Sequence, residues 1–301
     1  MSVGIQECVI SRTHSTNSAV KPRSDEPGVQ PSGYFRWKGL LDRFAALLLL
    51  IPGLPLIGIL VVLIRLTSRG PGVYRQIRVG CQGRNYVMYK LRSMRLDAET
   101  GTGAVWAKQG DSRVTPLGHW LRKLHLDELP QLFNVLKGEM SLIGPRPERP
   151  EFVKLLGREI PGYLNRLAVL PGVTGLAQIN LPADRDLDDV RRKIVLDVEY
   201  IQDGNLLVDL RIFLCTLLRI IGVRGELAMR LLGLQRTVAL PSIPASLEET
   251  LHDLPADKTV AFESPSDRKS PQLESVLAAG HPHNVSRDST ADVSFAGAQS
   301  R

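Results

Sequence analysis

The chain has 301 residues, 43% hydrophobic and 23% charged, which is enough apolar side chain to bury one sizeable core or two small ones and excludes a wholly disordered protein. Lysine and arginine outnumber aspartate and glutamate by 38 to 31, and this net charge of +7 indicates a nucleic acid, a membrane surface or a phosphate-bearing molecule as partner. The three cysteines, Cys8, Cys81 and Cys215, lie far apart with no CxxC pair, which disfavours a disulfide framework and a thiolate zinc site and fits a reducing compartment.

The two ends of the chain differ in composition from its middle. Residues 1–33 are rich in Ser, Thr, Pro and Gly and have no hydrophobic segment of the signal-peptide type, so we expect a disordered tail. Residues 238–301 hold nine acidic and five basic side chains and only two aromatic ones, and we expect a second, acidic disordered tail. The positive charge belongs to residues 34–160, which hold 20 basic and 10 acidic side chains.

An uncharged apolar run covers residues 44–64, and as a straight helix these 21 residues would reach about 31 Å, close to the thickness of a bilayer's hydrocarbon core. Pro52 and Pro55 lie at its centre, where each removes a helix hydrogen bond. Basic residues flank both ends, so charge gives no orientation for a single span. We therefore predict that residues 34–72 form a re-entrant helix broken at these prolines, which enters and leaves by one membrane face. A kinked helix that spans the membrane remains the alternative.

The segments after this run alternate between strand and helix patterns. GVYRQIRVG and RNYVMYKLRSM predict a hairpin that turns at residues 81–83. Helical patterns follow at residues 117–124, 127–137, 151–156 and 186–200, and Gly138 suits the C-terminal cap of the second. Residues 206–221 are apolar but carry three charges, which favours a helix at the membrane interface. The predicted fold class is α/β, more closely a helix-rich α+β domain over residues 73–237 with interfacial amphipathic helices.

The segment with the most chemically informative residues is LRKLHLDELPQLFNVLKGEMSLIGPRPERPEF. One interpretation makes Asp127 a helix N-cap, Glu128 a carboxylate in the first turn and Pro130 a tolerated first-turn proline. In the other, the acidic pair holds a divalent cation and one carboxylate attacks a phosphate group as nucleophile. Arginines such as Arg122 and Arg146 would make this chemistry possible, because they bind phosphate oxygens that carboxylates alone would repel.

Two turns also contain candidate ligand contacts. Gly144-Pro145-Arg146-Pro147 cannot continue a helix, so Arg146 points in a nearly fixed direction, either as a phosphate clamp or as a solvated side chain. PGVTGLAQIN brings backbone N–H groups and Gln178 to a ligand, or merely connects two elements. Neither nucleotide-loop fingerprint occurs, and the six histidines show no HxxxH or HExxH spacing.

These motifs together resemble the bacterial sugar transferases of exopolysaccharide and O-antigen synthesis, the monotopic polyprenyl-phosphate phosphoglycosyl transferases. The similarity runs from about Lys38 to Ile221. In order it comprises the LLD before the apolar run, the run with its proline, YRQIRVG, YKLRSM, LDELPQLFNVLKGEMSLIGPRP, PGVTGLAQIN and LDVEYI.

The resemblance implies a small catalytic domain at the cytoplasmic face of the bacterial inner membrane, on a re-entrant helix whose breaking proline corresponds to Pro55. It implies that Asp127 attacks the β-phosphate of a UDP-sugar, releases UMP and carries a covalent phosphosugar that a polyprenyl phosphate then takes up. Magnesium is implied at Asp127 and Glu128, and Glu128 assists with metal or proton handling. The candidate contacts to substrate or lipid phosphate are Arg122, Lys90, Arg92, Arg146 and Gln178.

Three departures from the family pattern stand out: Leu54 and His125 each replace a usual serine, Pro52 is an extra proline, and the acidic tail has no counterpart. A membrane-anchored phosphohydrolase and a non-catalytic scaffold of polysaccharide assembly are the competing functions. Nucleic-acid binding is disfavoured, because a basic segment joined to an apolar run with few aromatic residues suits an anionic membrane better. The sequence is compatible with a homo-oligomer and leaves the transferred sugar open between galactose, glucose and an N-acetylated hexosamine.

Overall fold

The computed structural model describes residues 28–98, 110–184 and 186–238. Most of both predicted tails therefore lies outside the described residues. The N-terminal tail stays a prediction, and near its predicted C-terminal end Ser32 is hydrogen-bonded to the folded domain. Its N–H donates to the Ile201 carbonyl over 3.0 Å and its hydroxyl to the Gly204 carbonyl over 2.6 Å. These two hydrogen bonds satisfy backbone carbonyl oxygens of the folded domain, and the composition of the segment gives no indication of them.

The chain starts with helix α1 and the predicted hairpin, followed by short helices around a small parallel sheet. The first three elements are α1 (Phe35–Thr67), β1 (Val73–Val79) and β2 (Asn85–Leu91). The next five are α2 (Pro116–Lys123), α3 (Gln131–Lys137), β3 (Ser141–Ile143), α4 (Pro150–Glu159) and β4 (Gly172–Thr174). The last four are α5 (Leu176–Asn180), α6 (Leu187–Asp203), α7 (Leu206–Ile220) and α8 (Gly225–Leu231).

The strand pairs define two separate two-stranded sheets. β1 and β2 are antiparallel, with Val73 opposite Leu91 and Val79 opposite Asn85, so the predicted hairpin is confirmed. β3 and β4 are parallel, with Ser141 opposite Gly172. Neither of these three-residue strands was predicted, because a run this short carries no readable alternation.

α1 is one uninterrupted helix of 33 residues, and it continues through Pro52 and Pro55. The predicted interruption at these prolines is therefore wrong. Each proline removes only one backbone hydrogen bond, and tertiary packing holds the helix on both sides of them. Within the described ranges, α1 is the helix long and apolar enough to cross a membrane.

One stripe of α1 packs on the domain along the whole length of the helix. The buried side chains recur every three or four residues, which is one helix face. They are Lys38, Asp42, Ala46, Leu50, Gly53, Ile57, Leu60 and Ile64. The hydrophobic members pack with β2 and α3 in one core cluster. The remaining faces of α1 expose large apolar side chains, among them Phe44, Leu47, Ile51 and Ile59.

Buried polar contacts fix the N-terminal end of α1. Lys38 forms ion pairs with Asp209 of α7 and, over 3.3 Å, with Asp42 one turn further along α1. Ser141 of β3 donates to Asp42 over 2.7 Å, and Tyr200 of α6 donates to Asp209 over 2.6 Å. α1 thus joins three other elements of the domain before its apolar run begins.

α7 carries its apolar side chains on the outside and part of its polar content inside. Asp209, Ile212 and Cys215 face the core. The exposed large side chains of this helix and its end are Leu206, Leu207, Leu210, Leu214, Leu217 and Ile221. The helix predicted at residues 206–221 is confirmed as α7, and its outer face carries these apolar side chains together with Arg211 and Arg219. Its location at the membrane interface stays a prediction. Cys81 and Cys215 are buried, while Cys8 lies outside the described residues.

Candidate active site

The acidic pair lies in a tight turn between α2 and α3. Leu126–Glu128 form a 3-10 turn, entered through His125 in the left-handed region at φ 54°. The helix predicted from residue 127 begins at Gln131 instead, behind Pro130. The N-cap interpretation of Asp127 is therefore wrong, because Pro130 occupies the N-cap position of α3 and Asp127 lies in the turn before it. Asp127 is buried in this turn, only 7% exposed.

Glu128 is held by two basic side chains. Lys90 Nζ donates to its Oε1 over 3.0 Å, and Arg146 Nη2 donates to the same oxygen over 3.2 Å. Burial alone would raise the pKa of Glu128, but the charges of Lys90 and Arg146 outweigh it and hold the pKa well below the usual range. Glu128 is therefore an anion at neutral pH, with its orientation fixed.

The carboxylate of Asp127, in contrast to that of Glu128, is not bound by basic side chains of the described residues. No residue in the described ranges donates a hydrogen bond to its carboxylate or forms an ion pair with it. Burial and the charge of Glu128 raise the pKa of Asp127, while the charges of Lys90, Arg122 and Arg146 lower it. A buried carboxylate without a partner, in a positive surrounding, is available to attack an electron-poor centre such as phosphorus.

Arg146 projects from a turn whose backbone is fixed at four successive carbonyls, those of residues 145–148. The Pro145 carbonyl accepts from Gly172 N–H and the Arg146 carbonyl from Arg166 Nη2. The Pro147 carbonyl accepts from Arg78 Nη1 and the Glu148 carbonyl from Val79 N–H. The Arg146 side chain itself is 41% exposed, and toward the described residues it donates through Nη2 alone, to Glu128. Its remaining N–H groups are open to a ligand, which favours the clamp over the solvated turn.

The structure places the predicted contact residues in different surroundings. Lys90 and Arg146 touch Glu128, and Arg122 has no ion pair within the described ranges but contributes positive charge at Asp127. The Arg92 guanidinium is instead bound at the C-terminal end of α1, where it donates to the Arg69 carbonyl over 2.6 Å and to Ser68 over 2.8 Å. Its geometry is that of a helix cap.

Gln178, on α5, lies apart from the hydrogen bonds of the acidic pair. Its Nε2 donates to the Val173 carbonyl over 3.4 Å, and its buried Oε1 has no hydrogen-bond partner in the described part of the chain. The turn PGVTGLAQIN forms β4 and α5, so it builds structure as well as presenting Gln178. The contact to a ligand predicted for Gln178 stays a prediction.

Arg78 and Arg166 support this site and were not among the predicted site residues. Arg78 lies in the motif YRQIRVG, and its guanidinium donates to the Pro147 carbonyl over 3.0 Å. The motif alone does not indicate this contact. Arg166 lies in no motif that we recognised. Only the pairing of distant elements brings both arginines to the turn of Arg146, so the sequence held no readable signal for their roles.

The carboxylates of the acidic pair are the groups of this site that could hold a magnesium ion. The described ranges contain no group of three or more His, Cys, Asp and Glu side chains that could hold a metal ion. Magnesium, however, typically binds one or two carboxylates together with substrate phosphates and water. Both hydrogen bonds to Glu128 are accepted by Oε1, so Oε2 is unengaged by any described residue, as is the Asp127 carboxylate. These two carboxylates fit such a site.

Comparison with known proteins matches residues 33–222 to the family described as bacterial sugar transferase. Over 134 residues the chain is 52% identical to a Bacillus subtilis (strain 168) protein, provisionally named undecaprenyl-phosphate N-acetylgalactosaminyl 1-phosphate transferase. The match covers 44% of this chain and 74% of that protein.

Two further relatives carry related names. An Aeromonas hydrophila protein, named UDP-N-acetylgalactosamine-undecaprenyl-phosphate N-acetylgalactosaminephosphotransferase, is 46% identical over 177 residues, 59% of this chain and 42% of that protein. A Caulobacter vibrioides protein, named UDP-glucose:undecaprenyl-phosphate glucose-1-phosphate transferase, is 41% identical over 181 residues, 60% of this chain and 67% of that protein. The match thus spans less than half of the Aeromonas protein, and the named sugars differ.

Proposed function

Because the chain belongs to the bacterial sugar transferase family, we propose that it transfers a sugar 1-phosphate from a UDP-sugar to undecaprenyl phosphate, the polyprenyl phosphate in the names of its relatives. The observation that carries this proposal is the contrast within the acidic pair. Asp127 is buried without a partner, and its neighbour Glu128 is clamped by Lys90 and Arg146. The proposed product would initiate the synthesis of an exopolysaccharide or a related glycan.

In the first step a carboxylate oxygen of Asp127 attacks the β-phosphorus of the UDP-sugar. An oxygen–phosphorus bond forms as the bond from that phosphorus to the α–β bridging oxygen breaks, so UMP leaves and Asp127 carries the sugar phosphate. Arg146, with N–H groups still open, suits the binding of the phosphate oxygens during this displacement. Lys90 and Arg122 supply further positive charge near the dianionic substrate.

In the second step a phosphate oxygen of undecaprenyl phosphate attacks the phosphorus of the acylphosphate. The Asp127 oxygen leaves with its electron pair, which restores the carboxylate and yields a sugar linked to the lipid through a diphosphate. Both steps are displacements at the same phosphorus, so the same positive groups serve both.

Magnesium would be held by Asp127 and Glu128 and would neutralise negative charge on the diphosphate. The chain's own share in this is to keep Glu128 ionised at neutral pH. Lys90 and Arg146 do so through the hydrogen bonds to Oε1, which leave Oε2 available.

We propose that the active site lies at the cytoplasmic face of the inner membrane and that both ends of α1 lie on that same side. Support comes from both ends of α1, since Lys38 pairs with Asp209 and Arg92 binds Ser68 beyond the last turn. One domain cannot hold both ends of a straight spanning helix from opposite sides of a bilayer. The exposed apolar side chains of α1 would therefore lie against the membrane without the helix crossing it.

The proposal is tested with purified full-length protein in detergent, undecaprenyl phosphate, magnesium and a panel of UDP-sugars. We expect UMP and lipid-linked sugar to appear in equal amounts with at least one donor, and chelation of magnesium by EDTA to stop both. Soluble sugar phosphate without lipid product would identify a phosphohydrolase, and no release of UMP from any donor would point to a scaffold.

A further inference from the structure

A buried ion pair lies directly behind the turn that carries Arg146. Arg166 donates through Nη2 to the Arg146 carbonyl over 3.1 Å and through Nη1 to the Tyr163 hydroxyl over 3.2 Å. The same Nη2 lies 2.7 Å from Oδ2 of Asp197, on α6, and the two side chains are only 5% and 4% exposed. Taking both charges out of water costs free energy that their attraction barely offsets, so a gain in stability is a poor explanation for this pair.

Among the described residues, Arg166 is the one that donates a hydrogen bond to the Arg146 carbonyl. The carbonyls of residues 145 and 148 accept from backbone N–H groups, and that of residue 147 accepts from Arg78. Pro145 and Pro147 have no N–H group, so the turn has few other ways to fix its backbone. Two peptide units adjoin the Cα atom of Arg146. Gly172 N–H holds the one before it through the Pro145 carbonyl, and among the donors in the described ranges Arg166 holds the one after it.

We propose that Arg166, oriented by Asp197, is a positioning residue that directs the Arg146 guanidinium toward the phosphate oxygens of the UDP-sugar. The identity of this ligand rests on the proposed function, whereas the link from Asp197 through Arg166 to Arg146 rests on the contacts above. The planar guanidinium of Arg166 contacts the Asp197 carboxylate, the Tyr163 hydroxyl and the Arg146 carbonyl at the same time. A lysine ammonium cannot reproduce this forked geometry. A small error in the direction of Arg146 would weaken a bidentate phosphate contact.

A purely structural pair offers the matched control. Lys193, also on α6, forms an ion pair with Asp184 over 2.6 Å, and the two side chains are 11% and 12% exposed. Within the described ranges, neither residue forms a hydrogen bond or an ion pair with the Arg146 turn. Asp184→Asn therefore breaks a similar ion pair made to α6 and leaves the hydrogen bonds that support Arg146 in place.

The experiment measures UMP release by the full chain in detergent with undecaprenyl phosphate, over a range of UDP-sugar concentrations. We expect Arg166→Lys to raise KM for the UDP-sugar about tenfold and to change kcat less than threefold, while Asp184→Asn leaves both within about twofold. In an Arg146→Lys background, Arg166→Lys should add less than about a twofold change in KM, because the residue through which it acts is already impaired. Binding of UDP, measured by calorimetry, should follow the same pattern.

An equal rise in KM with and without Arg146 would overturn the inference, and so would an unchanged KM accompanied by a lower melting temperature. If Arg166→Lys does not fold, the double variant Arg166→Gln/Asp197→Asn, which removes both charges together, carries the same expectation. A wild-type protein that releases no UMP would reject the proposed function instead. The binding measurement would then still decide whether Arg166 acts through Arg146.

Discussion

Asp127 and Glu128 are adjacent in sequence but differ in every contact that governs their chemistry. Glu128 accepts hydrogen bonds from Lys90 and Arg146, and its pKa is lowered. Asp127 accepts none from the described residues, and burial raises its pKa. This difference supports the proposal that Asp127 is the nucleophile and Glu128 a fixed anion.

We predict that Asp127→Asn lowers UMP release at least about a thousandfold, because the amide has nearly the same volume but no charge with which to attack. The melting temperature should stay within a few degrees, since no hydrogen bond to the carboxylate is lost. Glu128→Gln is the comparison: turnover should fall severely, while a covalent adduct still forms slowly. Near-normal UMP release by the Asp127 variant would remove it from the mechanism.

The second prediction concerns pH. Asp127 must be ionised to attack, so kcat/KM falls as pH drops through its pKa. The charge of Lys90 lowers that pKa against burial and the charge of Glu128. Lys90→Met should therefore move the acid limb of the pH profile of kcat/KM to higher pH, and Lys90→Arg should move it less. An acid limb that stays in place or moves to lower pH in Lys90→Met would contradict this assignment.

Among the elements, α7 shows how an apolar face and a buried charge share one helix. Asp209 is turned inward to Lys38 and Tyr200, while the leucines face out. An exposed stripe of this kind suits a membrane surface. We therefore expect the outer face of α7 to lie among lipid acyl chains, next to α1.

We predict that a fluorescent label at Leu214→Cys, in a background without Cys8, Cys81 and Cys215, is quenched by a quencher attached to lipid acyl chains. Leu214 is 42% exposed, so a label there should leave the fold intact. A label at Lys154→Cys, on the exposed side of α4, is the control and should remain bright. Equal quenching at the two positions would place α7 away from the bilayer.

The elements also show what sequence reasoning could and could not predict. The hairpin, α2, α4, α6 and α7 follow from alternation or helical periodicity, because each buries one face. The start of α3 was predicted at residue 127 and lies at Gln131, because the sequence does not indicate that His125 adopts a left-handed conformation and opens a separate turn. The resemblance likewise implied a phosphate contact for Arg92, whereas the packing of α1 brings its guanidinium to Ser68 and the Arg69 carbonyl. Ion pairs between residues far apart in sequence, such as Arg166 with Asp197, cannot be predicted before the fold is known.

At the scale of the whole molecule, the packing of α1 determines how the chain meets a membrane. Its buried stripe runs from Lys38 to Ile64, and both ends of the helix bind the same domain. Basic residues at both ends favour the cytoplasmic side for each. The two ends should therefore lie on one side of the membrane, which a spanning helix cannot achieve.

We predict that single cysteines at Gln30→Cys and Arg84→Cys, both exposed positions before and after α1, react equally with a thiol reagent that cannot cross membranes. Neither should be labelled in intact cells, and both should be labelled after permeabilisation. The background lacks Cys8, Cys81 and Cys215. Labelling of Gln30→Cys alone from outside intact cells would establish a spanning α1.

The most direct test of the covalent mechanism is a single-turnover measurement with a UDP-sugar in the absence of undecaprenyl phosphate. We expect wild-type protein to release UMP up to one equivalent per chain and to gain the mass of one sugar phosphate on the peptide that contains Asp127. Lipid phosphate added afterwards should convert this adduct to lipid-linked sugar, and Asp127→Asn should release no UMP. Release of UMP only when the lipid is present, with no adduct on the chain, would contradict the covalent mechanism.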